Sequence, residues 1–208
     1  MSEQGRPLVG RPRAFDADEA LERAMRVFWE RGYEGASLSD LTEAMGITRT
    51  SMYRAFGNKD ELFLKALARY DQGPAAYGRQ AVAEPTARAV VTSFLHGAVL
   101  TTTGPQSPAG CLGVQGALAV GPSGQGAQRA LAAWRDEGRE MLRQRFQRAV
   151  DEADLPEGTD AARLAGYVMT VAFGIAVQAA GGLTRAELQQ IAETALLGWP
   201  FTPPADPT

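Results

Sequence analysis

Between Thr48 and Lys59 the chain gathers three cations, Arg49, Arg54 and Lys59, among the hydroxyls of Thr48, Thr50, Ser51 and Tyr53, with no acid in residues 44–59. Guanidinium groups donate bidentately to a guanine edge, while hydroxyl and ammonium groups suit phosphate oxygens. Asn58 is the only asparagine in residues 37–63, a stretch that holds no glutamine. Amide-to-adenine readout is therefore lacking here, and arginine-to-guanine contact is the expected source of sequence specificity. A second acid-free island, residues 5–13, carries Arg6, Arg11 and Arg13. As a Gly10-Arg-Pro-Arg arm it could enter a minor groove; plain solvation of Arg11 and Arg13 is the alternative. The formal net charge is −3 over 208 residues. Two basic islands on an acidic chain point to a local footprint on nucleic acid, not to bulk attraction.

Material for catalysis is thin: one histidine and one cysteine, with no motif tying either to a base or a metal. His96 lies among apolar residues and reads as a core or pocket side chain. Cys111 alone reads first as a small buried hydrophobe. Where a loop enters a helix, N–H groups could instead lower its pKa and make it a sensor of oxidants or electrophiles. The glycines of residues 121–126 have no preceding strand and no following Lys-Ser/Thr, so they form a loop and no phosphate cradle. No enzyme activity, metal or cofactor is expected. A single cysteine excludes an internal disulfide framework and fits a reducing cytoplasm, and residues 1–10 carry no charged-then-apolar signal. Residues 164–184 contain no charge, enough for a membrane-span count. They are rich in Ala and Gly, include Gln178 and lack flanking anchors, so a buried interface helix is expected and no membrane partner.

The elements that must position the basic face are legible from caps and periodicity. Ser37 caps a helix with Asp40 answering three residues on, and Leu38, Leu41 and Met45 share one face. Gly46 sits where the chain must turn, in the left-handed region that glycine enters cheaply. Ile47 packs inside the turn, Thr48 caps the next helix, and Met52, Ala55 and Phe56 face the core. Upstream, Asp16–Tyr33 is an amphipathic helix with Leu21, Ala24, Met25 and Phe28 inward, an Asp16/Glu19 capping box and Gly32 as its stop. Downstream, Asn58 caps a further helix with Glu61 in reply. A short helix with a basic, hydroxyl-rich outer face, braced by a partner, is what a major groove admits.

Taken together, residues 13–70 resemble the DNA-binding domain of the TetR family of transcriptional repressors. The resemblance rests on Phe28-Gly32-Tyr33, on Gly46-Ile47-Thr48 and on Tyr53-Phe56-Lys59-Leu62. Thr42 stands where such helices place a small Ala, and its methyl fills nearly the same space. Thr50 stands where the family often has Gly, which bears on the sequence read and not on whether DNA is read. The resemblance implies an all-α fold of about nine helices: a helix-turn-helix head (1–60, with a basic arm 1–14), a larger effector-binding and dimerisation domain (61–200) and a frayed tail (201–208). It also implies a ligand cavity whose occupancy alters the spacing of two recognition helices.

Beyond Tyr70 a soft break at 73–78 precedes helices over 85–100, 111–120, 127–153, 159–180 and 184–198, with loops at 101–110 and 121–126. Phe94, His96, Leu100, Cys111, Leu112, Gln115, Trp134, Tyr167, Thr170 and Phe173 make a mostly apolar set suited to a small apolar or aromatic ligand. One recognition helix offers too few contacts, so a two-fold homodimer on palindromic double-stranded DNA is expected. Its seam is expected at Gly166, Ala172 and Ala176 with Leu188, Ile191, Ala195 and Leu196. The competing reading is a helical interaction or enzyme-like bundle that keeps the head without using it on operators; the intact basic face favours the DNA reader.

Overall fold

The computed structural model describes residues 15–105 and 107–199. Arg11 and Arg13 of the basic arm and the 201–208 tail lie outside the described residues. Within these the fold is all-α, as expected, with ten α-helices, two short 3-10 turns and no strand. The helix beyond the expected nine is α5 (Tyr77–Ala81), which follows a 3-10 turn at Pro74–Ala76 inside the segment expected to be a break.

In α1 (Ala17–Gly35) the Asp16 carboxylate accepts the N–H groups of Asp18 and Glu19. Glu19 does not close a capping box; its carboxylate pairs with Arg23 one turn on. Gly32 interrupts the helical path at φ 70°, ψ 175°, so the main helix ends where expected and one further turn follows. That break frees the Tyr33 N–H, which donates to the Gly116 carbonyl at 2.7 Å.

The next three helices, α2 (Leu38–Met45), α3 (Arg49–Phe56) and α4 (Lys59–Gln72), begin at the expected caps. The Ser37 hydroxyl accepts from Asp40 N at 3.1 Å and the Asp40 carboxylate accepts from Ser37 N at 3.0 Å. Asn58 and Glu61 exchange the same pair of bonds at 2.9 and 2.8 Å. Gly46 is left-handed, at φ 68°. Met52 and Phe56 are buried, but Ala55 is exposed; it lies about 100° round the helix from the outward-facing Arg54.

Two apolar cores result. The first joins the head to α7 (Leu112–Gln115) and the start of α8 (Gln125–Asp151), through Phe28, Trp29, Leu41, Phe63, Leu112 and Leu131. The second unites α6 (Ala87–Thr102), the remainder of α8, α9 (Ala161–Ala180) and α10 (Arg185–Leu197) through Val90, Leu95, Phe146, Val168 and Leu188. Each fully buried large side chain contributes ~1.5–3 kcal/mol. The first core runs past residue 60, and the boundary drawn at 60/61 falls inside α4. The helix expected over 111–120 stops at Gln115, since the Gly116 carbonyl is given to Tyr33 and not to a following turn. Among the described residues only α9 is long and apolar enough to cross a membrane; its Leu164, Ala165, Val168 and Ile175 are built into the second core.

Candidate nucleic-acid interface and inner cavity

The outer face of α3 is free. Thr48, Arg49, Thr50 and Arg54 are exposed and Tyr53 is 47% exposed, with Ser51 half-buried beside the cap. The Thr48 hydroxyl accepts from Ser51 N at 3.2 Å, fixing the start of the helix. Arg49 donates through Nη2 to Ser39 Oγ at 3.0 Å, so its guanidinium is steered against α2. The Arg54 guanidinium makes no hydrogen bond or ion pair among the described residues. The brace behind this face is polar as well as apolar. Arg31 of α1 pairs with Asp40 at 2.7 Å, and the Ser37 hydroxyl and N–H, ahead of that arginine, hold the Asp40 carboxyl below its usual range. Thr42 is half-buried and its hydroxyl is satisfied by the Leu38 carbonyl at 2.9 Å.

Lys59 is placed differently. Its ammonium sits over the Tyr33 ring, 4.3 Å from the centroid, a cation–π arrangement. Partial burial lowers its pKa, against the charges of Glu34 and Asp60 that raise it. The Tyr33 hydroxyl donates to Asp60, and burial followed by that bond pushes the phenol pKa up.

Beneath the head, between α4, α5, α6, α7, α8 and α9, lies a cavity of about 280 Å³. Phe94, Cys111, Trp134 and Phe173 of the expected ligand set line it; the other six members do not. On α6, His96 and Leu100 stand about 200° and 240° round from Phe94, which leaves His96 half-buried elsewhere and Leu100 54% exposed. Leu112 is spent in the first core, and Gln115 donates to the Ala109 carbonyl at 3.2 Å. On α9, Tyr167 faces roughly away from the lining residues and Thr170 is exposed, its hydroxyl on the Gly166 carbonyl at 2.8 Å.

The seam residues also need correction. Ala172 and Ala176 line the cavity, and with Leu188 and Leu196 they are buried within the protomer. Gly166, Ile191 and Ala195 retain an outward aspect, and Gly174, Val177 and Leu197 join them on the outside. A Cβ at Gly166 or Gly174 would meet nothing within 4 Å.

Several cavity residues carried no sequence signal: Asp71, Tyr77, Arg79 and Met169 come from a helix end, a presumed break and a helix read for another purpose. Asp71 accepts from Trp134 Nε1 at 2.9 Å and pairs with Arg79. Trp134 lies so close to Gly113 that a Cβ there would come within 2.1 Å of the indole. The glycines opposite aromatics were the available clue. Cys111 accepts from the Tyr70 hydroxyl at 3.1 Å. Burial pushes its thiol pKa up, outweighing the Tyr70 hydroxyl and the Val114 and Gly113 N–H groups that pull it down.

Cavity and head share a seam. Trp29 Nε1 donates to the Gly110 carbonyl at 3.0 Å and Gly121 N donates to Glu34 at 2.9 Å, on either side of the Tyr33–Gly116 bond.

A basic, capped helix presented by a helix-turn-helix head on a larger helical body defines a DNA-binding regulator. The description "Bacterial regulatory proteins, tetR family" matches residues 20–66. Over 193 residues the chain is 31% identical to the HTH-type transcriptional repressor ComR of Escherichia coli (strain K12), covering 92% of each. A cysteine-substituted variant of the TetR family transcriptional regulator CifR, complexed with 26-bp double-strand operator DNA, matches at 45% identity with a TM-score of 0.88, over 92% of this chain and 100% of that one. A putative TetR regulator from Rhodococcus sp. RHA1 is 41% identical with a TM-score of 0.59, over 87% and 98%. The chain belongs to the TetR family: it is a DNA-binding transcriptional regulator and not an enzyme.

Proposed function

We propose that this regulator is a homodimeric cytoplasmic repressor that leaves a palindromic operator when a small, largely apolar molecule enters the cavity. Residues 1–60 read DNA and 61–200 sense and dimerise, with α4 running through the boundary. Arg49 and Arg54 read guanine edges, Thr48, Thr50, Ser51, Tyr53 and Lys59 hold phosphates, and Arg11 and Arg13 add minor-groove contacts. The CifR variant holds double-strand operator DNA, which supports the same use of this head. The outward stripe of Gly166, Thr170, Gly174 and Val177 with Ile191 and Leu197 suits close packing of a second copy.

The observation that carries ligand control is the seam between cavity and head. Cys111 and Val114 line the cavity, and Gly110 and Gly116, one residue before and two residues after that pair, hold Trp29 and Tyr33. A molecule that displaces this wall moves the backbone that fixes Tyr33, and Tyr33 supports Lys59 and Asp60. Release requires that the ligand bind the DNA-free arrangement more tightly than the DNA-bound one. A second reading, oxidant or electrophile sensing through Cys111, is favoured by the thiol's place in the wall; the raised thiol pKa favours reversible binding instead.

The test begins with sequencing DNA fragments selected by the purified protein, then follows release of that operator by anisotropy. Apolar compounds should release wild type and Cys111→Ser alike. Release by a quinone or hypochlorite alone, abolished in Cys111→Ser, would replace the reversible reading, and release by nothing would remove ligand control.

A further inference from the structure

Tyr77 opens α5 with its ring against Gly97 of α6, where a Cβ would come within 2.5 Å of the ring, and edge-on to Phe94 at 5.5 Å. Both aromatic side chains line the cavity. The Tyr77 hydroxyl forms no hydrogen bond among the described residues. Of the other polar groups of the wall, Asp71 is engaged by Trp134 and Arg79, the Thr102 hydroxyl by the Ala98 carbonyl at 2.7 Å, and Cys111 by Tyr70, while Glu137 lies at the exposed rim. Burial pushes the Tyr77 phenol far above its ordinary range, so the hydroxyl is a donor at any working pH. Tyr77 is half-buried and lines the open space of the cavity, where a ligand oxygen can accept this hydroxyl's hydrogen bond.

We propose that the cavity takes a neutral molecule with an apolar body of about one ring and a hydrogen-bond-accepting oxygen, and that the Tyr77 hydroxyl is the donor that selects it. The inference rests on the cavity being the ligand site proposed above. Size follows from the volume, about 280 Å³, just below the ~300–1,000 Å³ of small-molecule sites. Neutrality follows from the charges. Asp71 and Glu137 are carboxylates and the one guanidinium, Arg79, is committed to Asp71, so an anion meets a net negative wall. A cation would have Glu137 as its uncommitted partner, and that residue is exposed, where water and salt weaken the attraction.

Four probes of similar size separate these cases by calorimetry: acetophenone, ethylbenzene, benzoate and benzyltrimethylammonium. Acetophenone should bind wild type about tenfold more tightly than ethylbenzene, the worth of one hydrogen bond to an otherwise unpaired donor. Tyr77→Phe should erase that preference and leave ethylbenzene binding and the melting temperature unchanged. Undiminished acetophenone binding in Tyr77→Phe overturns the role of the hydroxyl, while tighter binding of either ion overturns the neutral class. Binding of none of the four to wild type overturns the cavity reading itself, an outcome distinct from the others.

Discussion

The head and the cavity obtain fixed geometry from different sources. The outer face of α3 is set within about two dozen residues by three helix caps and one left-handed glycine, and its side chains point to water. The cavity wall is contributed by six helices spread over a hundred residues of chain, and its working side chains are held by packing and by bonds such as Trp134 to Asp71. That outer face can therefore be altered side chain by side chain without unfolding. A change in the cavity wall propagates through the packed elements around it.

Trp29 lies where the two regimes meet: it is 1% exposed, packs edge-on to Tyr70 at 4.8 Å and donates to the Gly110 carbonyl. Trp29→Ala should cost ~3–5 kcal/mol, read as a lower urea midpoint, with head and body still unfolding in one transition. Separate transitions for head and body would show that the first core is not shared between them. A smaller effect tests Cys111. Burial raises its thiol pKa, so folding favours the protonated form; that contribution is present below the unfolded pKa and is lost as pH rises through the folded one. Alkylation by iodoacetamide near roughly pH 8 should be slower than for free cysteine, and should approach the ordinary rate in urea. A rate above that of free cysteine would restore the thiol as a sensor.

The same contrast explains what could be read from sequence. Ser37 with Asp40, Asn58 with Glu61 and left-handed Gly46 are interactions across three or four residues, and each forms as its spacing dictates. Even there Glu19 turns to Arg23, because an exposed carboxylate chooses among nearby donors. In the body, periodicity identified apolar faces but not their partners. Ala172 and Ala176 make a small-residue stripe that is covered from within the protomer, where a second copy was expected. His96 and Leu100 are close to Phe94 in sequence and remote from it round the helix. Tyr77 stood between Gly73-Pro74 and Gly78 in what read as a break, and only tertiary packing against Gly97 gives it a place.

Operator binding is proposed to rest on the exposed face of α3, with Lys59 behind it. Its most direct test is an anisotropy titration of the selected operator with wild type and with Arg49→Ala, Arg54→Ala and Lys59→Ala combined, at two salt concentrations. Each arginine holding a guanine should be worth ~1–3 kcal/mol, and loss of Lys59 should lower the salt slope by about one charge per protomer. The complex should weaken at least roughly hundredfold, with the variant still folded. Undiminished operator affinity in the triple variant would contradict this proposal.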